Sequence, residues 1–181
     1  SEKSPFHMIA SVKINQNNPA SPLNFDTWHL AGLLDEAAKN FPDRPFVSAS
    51  NSSCFTYRAA AVQTRQIAAA LQKYGVQRGD RVMILTANRP EVALLAYAVA
   101  RLAAIFVVIN NAIKPYGLQQ ILEQCEPKLV ILDETTLPLA NEIKAAKRIF
   151  MGATKPTEVD FSFDELLKTS DPGPQKFPGI D

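Results

Sequence analysis

Glycine is scarce in this sequence. Its 181 residues contain only 7 glycines, well below the ~7% usual in globular proteins. Gly75 and Gly79 are the closest pair along the chain, so neither a G-x-G-x-x-G motif nor a Walker phosphate loop can be present. The sequence therefore lacks both of the common glycine-rich cradles for nucleotide phosphates.

Cysteine and histidine are scarcer still. Cys54 and Cys125 are the two cysteines, and His7 and His29 are the two histidines. Two cysteines without further partners predict two reduced thiols rather than a disulfide framework, and the scattered positions give no zinc-ligand spacing. No G-x-S-x-G nucleophile elbow is present either. We therefore expect a cytoplasmic setting and predict no metal site.

Positive and negative side chains are nearly equal in number, since the sequence contains 19 Lys and Arg and 18 Asp and Glu. Nucleic-acid-binding domains usually carry a basic surplus, so nucleic acid is not an expected partner. The apolar run at residues 92–109 is interrupted by Arg101, which would cost about 2.5–3.5 kcal/mol at a bilayer centre. Its first half is rich in helix formers and its second half in β-branched residues. The run predicts a buried helix followed by a buried strand, with no transmembrane segment.

The order of patterns along the chain predicts an α/β fold. Residues 1–27 are polar and broken by proline, and they form an arm that either packs on the body or frays. A helix is expected from Trp28, with Asp26 or Thr27 as its cap. A small hairpin follows, with short strands at residues 46–48 and 54–57 around a turn-rich segment.

After a turn at Gly79 and Asp80, apolar strands alternate with helices. Strands are expected at residues 81–86, 105–109, 128–132 and 148–151. One helix is expected before this turn, at residues 58–74. Further helices are expected after it, at residues 90–103, 115–125, 136–146 and 161–168. This alternation predicts an open, mainly parallel sheet with helices on both faces, built from right-handed βαβ units. Residues 28–168 thus form one α/β unit, and the proline-rich residues 169–181 form a linker.

Polar residues follow the strands at the edge where open α/β sheets bind ligands. They are Asn88 after the first strand of the sheet, Asn110 and Asn111 after the second, and Asp133 and Glu134 after the third. They form one rim of a binding cleft, or they are turn and cap residues that bond local backbone. Asp133 and Glu134 are adjacent, so they point apart and do not form a catalytic pair. Lys114 either meets a phosphate at a helix N-terminus or lies in solvent.

Five segments carry a family resemblance through their order and spacing. They read LLDEAAKNFPDRPF at 33–46, FTYRAA at 55–60, IAAALQKYGVQRGDRVMILTANRPE at 67–91, ARLAAIFVVIN at 100–110 and LQQILEQCEPKLVILDE at 118–134. The chain resembles the N-terminal portion of the adenylate-forming enzymes, which include acyl-CoA synthetases, luciferases and peptide-synthetase adenylation domains. It is most similar to the acyl-CoA ligases. Thr56, Tyr57, Gly79, Asp80 and Asn88 belong to these motifs.

The resemblance implies a parent enzyme that activates a small-molecule carboxylate with ATP and magnesium and then transfers the acyl group to coenzyme A. The family's phosphate loop would follow residues 169–181, and its catalytic lysine comes later. We therefore carry over no catalytic residue, and we expect the fragment alone to bind no cofactor and to be inactive. A stand-alone acyl- or nucleotide-binding or interaction module, an adenylation domain of a peptide synthetase, and a homo-oligomer remain open.

Four positions depart from the residues usual in that family. Ala60 stands where an acidic residue is common, Ala103 in place of glycine, Val108 in place of proline and Gly117 in place of glutamate. Alanine at 103 is expected to fit only if its φ is not positive. These departures predict a divergent member and leave the activity of the parent open.

Overall fold

The computed structural model describes residues 29–49, 54–152 and 154–168. Its helices are α1 (Leu30–Asn40), α2 (Tyr57–Lys73), α3 (Pro90–Arg101), α4 (Pro115–Cys125) and α5 (Phe163–Lys168), with a 3₁₀ helix at Leu137–Glu142. Its strands are β1 (Pro45–Ser48), β2 (Cys54–Thr56), β3 (Arg81–Leu85), β4 (Ile105–Val108), β5 (Leu129–Leu132), β6 (Lys147–Phe150) and β7 (Phe161–Ser162). The predicted arm, 1–27, and linker, 169–181, lie outside the described residues.

The predicted fold class is confirmed. Five strands form a parallel sheet in the order β4-β3-β5-β6-β7, and β1 and β2 form a separate antiparallel hairpin. One face of the sheet packs on α1, α2, α3 and α5, and the other packs on α4 and the 3₁₀ helix. Every residue of β5 is buried, as expected for a strand covered by helices on both faces.

The first helix begins later than the sequence predicts. His29 is its N-cap, and the Nδ1 atom of this residue accepts a hydrogen bond from the backbone N–H of Gly32 at 3.0 Å. The predicted caps, Asp26 and Thr27, lie outside the described residues. Their prediction is wrong because the imidazole nitrogen serves as the acceptor that Asp and Thr oxygens usually provide.

Two elements near the end of the described chain differ from the prediction. The helix expected over 136–146 is only the 3₁₀ turn Leu137–Glu142, because Pro138 fits a first turn and Ile143 is extended where it enters the core. The helix expected from Phe161 begins two residues later, after the short strand β7. Ser162 and Glu165 exchange side-chain-to-backbone hydrogen bonds there, which is the capping box of an S-x-x-E sequence.

The apolar run at residues 92–109 folds as the helix and strand predicted for it, but the strand is not fully buried. In the described sheet β4 is an edge strand with β3 as its neighbour, and Ile105 and Val108 are 50% and 58% exposed. Its composition predicted burial because apolar content does not distinguish an edge strand from a central one. Among the described residues, no helix is long and apolar enough to cross a membrane.

Arg101, at the end of α3, is the most deeply buried charged side chain that the structure describes, with 1% of its surface exposed. Its Nη1 and Nη2 atoms donate to Oδ2 and Oδ1 of Asp35 on α1 at 2.9 and 2.6 Å. Its Nε donates to Oγ1 of Thr64 on α2 at 3.0 Å. Arg65 also donates to Asp35, at 2.8 Å. One buried guanidinium thus joins three helices through a bidentate ion pair.

The Asp35 carboxyl is held in its charged form. Partial burial alone would raise its pKa, but the hydrogen bonds and charge of Arg101, together with those of Arg65, outweigh this and hold the pKa below 3.8. The carboxylate therefore stays ionised and compensates the buried guanidinium across the whole physiological pH range.

Helices α2 and α3 end in the same hydrogen-bonded turn, with different residues at the critical position. After α2, Gly75 and Val76 donate backbone bonds to Gln72 and Leu71. After α3, Ala103 and Ala104 donate the equivalent bonds to Ala100 and Val99. Both turns are Schellman motifs, whose first residue beyond the cap is left-handed.

Gly75 adopts a φ of 93° there, and Ala103 adopts a φ of 50°. The expectation that alanine would avoid a positive φ at 103 is therefore wrong. The Schellman bonds and the adjoining strand hold the backbone in this conformation, at the steric cost of a Cβ.

We expect Asp35→Ala to lower the free energy of unfolding by about 3 kcal/mol, because it leaves the Arg101 charge buried without its partner. Asp43→Ala is the matched control, since Asp43 pairs with Arg58 on the surface, where the two side chains are 85% and 64% exposed. That change should cost less than about 1 kcal/mol. Urea unfolding of both variants checks this, and equal losses would contradict the anchoring role of Asp35.

The same carboxylate predicts a pH dependence of stability. Because the pKa of Asp35 is lower in the folded chain than in the unfolded chain, its contribution is present above pH 3.8 and is lost as the pH falls through the folded value. The difference in unfolding free energy between wild type and Asp35→Ala should therefore shrink below about pH 4. Urea titrations between pH 7 and pH 3 measure it, and a constant difference would refute this assignment.

Exchanging the residues of the two Schellman turns should have opposite effects on stability. Ala103→Gly should raise the free energy of unfolding by about 1 kcal/mol because it relieves the left-handed strain, and Gly75→Ala should lower it by about 1–2 kcal/mol. Thermal and urea unfolding measure both changes. The same sign for both variants would show that φ does not govern these sites.

Candidate functional site

The carboxyl edge of the parallel sheet is held together by Asp133, which follows β5 and is 2% exposed. Its Oδ2 accepts a hydrogen bond from the backbone N–H of Ala87, after β3, at 2.7 Å. Its Oδ1 accepts from the backbone N–H and the hydroxyl of Thr135 at 3.0 and 2.6 Å. Oδ2 therefore joins the loops after β3 and β5, and Oδ1 fixes the loop after β5 on itself.

Asp133 is an ionised structural group rather than a proton acceptor. Burial raises the pKa of its carboxyl, but the bonds from Thr135 and Ala87 together lower it further, so the pKa lies below 3.8. The adjacent Glu134 is exposed. The two carboxylates thus differ in environment and do not act as a pair, as the sequence predicts.

Two further side chains cross the same edge. The hydroxyl of the buried Thr136 donates to the carbonyl oxygen of Leu85 at the end of β3. Arg89, at the N-terminus of α3, donates from Nη1 to the carbonyl oxygen of Met151 after β6 at 3.0 Å, and from Nε to Glu91 at 3.1 Å. These bonds connect the loops after β3, β5 and β6 into one rigid rim.

Thr56 and Tyr57, two of the predicted site residues, lie where the hairpin meets α2. Thr56 is the N-cap of α2, where its Oγ1 accepts from the N–H of Ala59 at 3.3 Å. The Tyr57 ring meets Phe46 edge to face, with 5.6 Å between the ring centres. Both residues fix the hairpin to α2, which explains the T-Y motif without a ligand.

Gly79 and Asp80 lie at the amino end of β3, on the opposite edge of the sheet from the rim. Gly79 has a φ of 81°, and Asp80 Oδ2 accepts from the N–H of Gln77 at 2.8 Å. Asp80 lines a cleft of about 830 Å³. Within it Arg81 donates to the carbonyls of Cys125 and Glu126 at 2.6 and 2.9 Å, where it caps the end of α4.

Four predicted site residues lie at the carboxyl edge, but not on one cleft. Asn88 lines a cleft of about 620 Å³ on the α3 face, and Asn110 lines one of about 400 Å³ on the α4 face. Asn110 also accepts from the N–H of Ala112 at 2.9 Å. Asn111 and Lys114 are exposed, and Lys114 precedes α4 without a side-chain cap bond. Asn88 and Asn110 thus line different clefts on opposite faces of the sheet, and Asn110 serves as a turn residue, which is one of the two alternatives that the sequence leaves open.

The described residues offer no metal centre, since no cluster of three or more His, Cys, Asp or Glu side chains that could hold an ion occurs among them. Cys54 and Cys125 are free thiols, as predicted. The magnesium that the resemblance implies therefore has no ligand set in the described part of the chain, and we derive no step through it.

The sequence does not reveal the long-range partners of two of its arginines. In the sequence Arg101 is only an interruption of an apolar run, and Arg89 belongs to no charged motif. The partners of Arg89 and Arg101 lie 62 and 66 positions away, which no local pattern shows. A local signal did exist at the rim, where D-x-T-T over residues 133–136 is typical of side-chain-to-backbone turns.

Residues 34–177 match the family described as AMP-binding enzyme. "Probable acyl-activating enzyme 8" of Arabidopsis thaliana is 33% identical over 104 residues, which are 58% of this chain and 19% of that protein. 4-coumarate:CoA ligase 1 of Petunia hybrida is 29% identical over 110 residues, or 60% and 20%. The chain thus spans about a fifth of the length of these two relatives.

Solved structures show the same fold. The luciferase-like enzyme of the mealworm Zophobas morio superposes with a TM-score of 0.74 at 22% identity, covering 87% of this chain and 38% of that one. A benzoate CoA ligase from Burkholderia xenovorans gives 0.70 at 15% identity, covering 79% and 29%. The chain therefore belongs to the family of AMP-binding enzymes, as its resemblance to the N-terminal portion of adenylate-forming enzymes predicts.

Proposed function

We propose that this chain is the N-terminal part of an ATP-dependent acid–thiol ligase. The parent joins a carboxylate to ATP, which gives an acyl-adenylate and pyrophosphate, and the thiol of coenzyme A then displaces AMP to form a thioester. The family match over residues 34–177 carries this proposal. Relatives whose names specify CoA ligases support coenzyme A, rather than a carrier protein, as the acceptor.

The part played by this chain is structural, and the geometry of the rim supports that role. Asp133 joins two loops through backbone bonds, and Arg89 is shared between Glu91 and the carbonyl oxygen of Met151. Side chains engaged in this way shape a wall and do not act as a free acid, base or nucleophile. We propose that ATP, magnesium and coenzyme A bind largely through parts of the parent beyond this chain.

Asn88, Asn110, Asn111 and Lys114 are the predicted site residues at the carboxyl edge. Asn88 borders an open, mostly apolar cleft of about 620 Å³, and this volume is within the range of ligand sites. We propose that these side chains contact ligand or neighbouring polypeptide in the parent, and that Thr56, Tyr57, Gly79 and Asp80 support the fold.

The proposal predicts no turnover by the 181-residue chain alone. ATP–pyrophosphate exchange with a panel of aliphatic and aromatic carboxylates should stay at background, and mass spectrometry should detect no CoA thioester. Calorimetry with ATP, coenzyme A and acyl-CoA belongs to the same experiment. Turnover would overturn the structural role, and micromolar binding would favour a stand-alone binding module.

A chimera tests the ligase parentage directly. The matching segment of the Petunia 4-coumarate:CoA ligase is replaced by this chain, and thioester formation by that enzyme is followed. The rate should fall by no more than about 100-fold, the loss that a ~1 Å misplacement causes. The same chimera carrying Asp35→Ala is the control, because this change removes the ion pair that holds α1 to α3. A folded chimera without thioester formation would count against the parentage.

A further inference from the structure

The last strand of the parallel sheet, β7, is joined to it over the shortest ladder. It shares two residue pairs with β6, whereas each other pair of neighbouring strands in this sheet shares four. The helix that follows it, α5, has six residues, and an isolated helix of this length is not stable in water. The attachment of β7 and α5 therefore depends on further contacts.

One ion pair supplies an important part of that attachment. The Oδ2 atom of Asp160, just before β7, accepts from the backbone N–H of Arg148 on β6 at 2.7 Å, and the N–H of Asp160 donates to the Arg148 carbonyl at 3.0 Å. The Arg148 Nε atom also donates to Oδ2, at 3.3 Å. This Arg148–Asp160 pair is called the latch. It lies at the surface, because its side chains are 26% and 38% exposed.

Three apolar side chains complete the attachment. Phe163 packs in the core on the α2 side of the sheet, and Val159 packs in the core on the α4 side. The ring centre of Phe161 lies 4.2 Å from that of Tyr74, at the end of α2. The other described members of both cores precede residue 152. The part of the domain before residue 152 thus keeps most of its core without these three side chains.

Hydrogen bonds within the same segment hold it together. The Lys155 Nζ atom donates to the carbonyl oxygen of Asp160 at 3.2 Å. Ser162 and Glu165 form the capping box that joins β7 to α5. These bonds do not involve the rest of the domain, so they persist when the segment moves as a whole.

The chain is fixed immediately before this segment. A Cβ on Gly152 would overlap the ring of Phe150 and the carboxylate of Glu134, so the backbone there lies tightly against the carboxyl rim. Arg89 also holds the carbonyl oxygen of Met151 at 3.0 Å. The bonds that join the loops of the rim therefore end at residue 152, and they do not depend on β7 or α5.

We propose that residues 154–168 form a strap that detaches from the rest of the domain as one unit, and that the latch controls its release. Once the latch opens, two ladder pairs and three apolar side chains hold the strap. Strands β3 to β6 and the rim keep their bonds when it leaves. Because residues 169–181 follow α5 directly, release moves the point from which the chain continues while the rim stays in place.

Native-state hydrogen exchange of the 181-residue chain at increasing urea concentrations tests the strap. Its hydrogen-bonded amides should be at least about ten-fold less protected than those of β3 and β5. Their protection should also depend less steeply on urea, because release of the strap exposes less surface than global unfolding. Strap amides with the same protection and urea dependence as β3 and β5 would overturn the proposal, since the segment would then unfold only with the whole domain.

Asp160→Ala tests the latch. It should speed the exchange of the strap amides at least about ten-fold, because it removes charge-assisted bonds to Arg148. Glu158→Ala is the matched control, since it removes the same charge from an exposed residue two positions away, and it should change this exchange by less than about two-fold. Equal effects of the two variants would contradict the role of the latch. Complete unfolding of the Asp160→Ala chain would also overturn the proposal, because the latch would then hold the whole domain.

Discussion

The buried charge of Arg101 is the constraint on which the helical side of this fold depends. A guanidinium without contact with water must have its donors satisfied and its charge balanced. Asp35 supplies the balance and Thr64 a further acceptor, so α1 and α2 must pack where these two groups reach α3. Apolar contacts alone would tolerate several helix orientations, whereas the planar fork of arginine admits few.

The position of Arg101 at the last residue of α3 transmits that constraint to the sheet. The Schellman turn begins immediately after it, and the carbonyl of Ala103 accepts from Gly79 while Ile105 donates to Asp80. These two bonds set the register of β4 on β3 at the point where the chain re-enters the sheet. A left-handed alanine is tolerated because the helix anchor on one side and the strand on the other hold the turn.

Local periodicity was sufficient to predict most helices, four of the five strands of the parallel sheet and the hairpin. Residues such as Ile84 and Ile131 read as buried strand because both sheet faces are covered. Position within the sheet could not be predicted, because β4 and β5 are similarly apolar and yet one is an edge and one is central. The candidate site was harder to predict from the sequence, because asparagine and glycine occur in turns as well as in ligand-binding sites. Asp133 depends on Ala87, 46 positions away, and only the folded sheet brings the two together.

The rigidity of the carboxyl rim has a consequence for an enzyme of this family. A wall that shapes a cleft between polypeptide parts must keep its position while ligands enter and leave, since small displacements are costly to catalysis. Asp133 and Arg89 provide such rigidity by bonding the loops after β3, β5 and β6 to one another. The same bonds withhold these two side chains from chemistry. We therefore propose that this chain supports the cleft, whereas the reacting groups lie in the rest of the ligase. The long-range bonds of the rim favour this division.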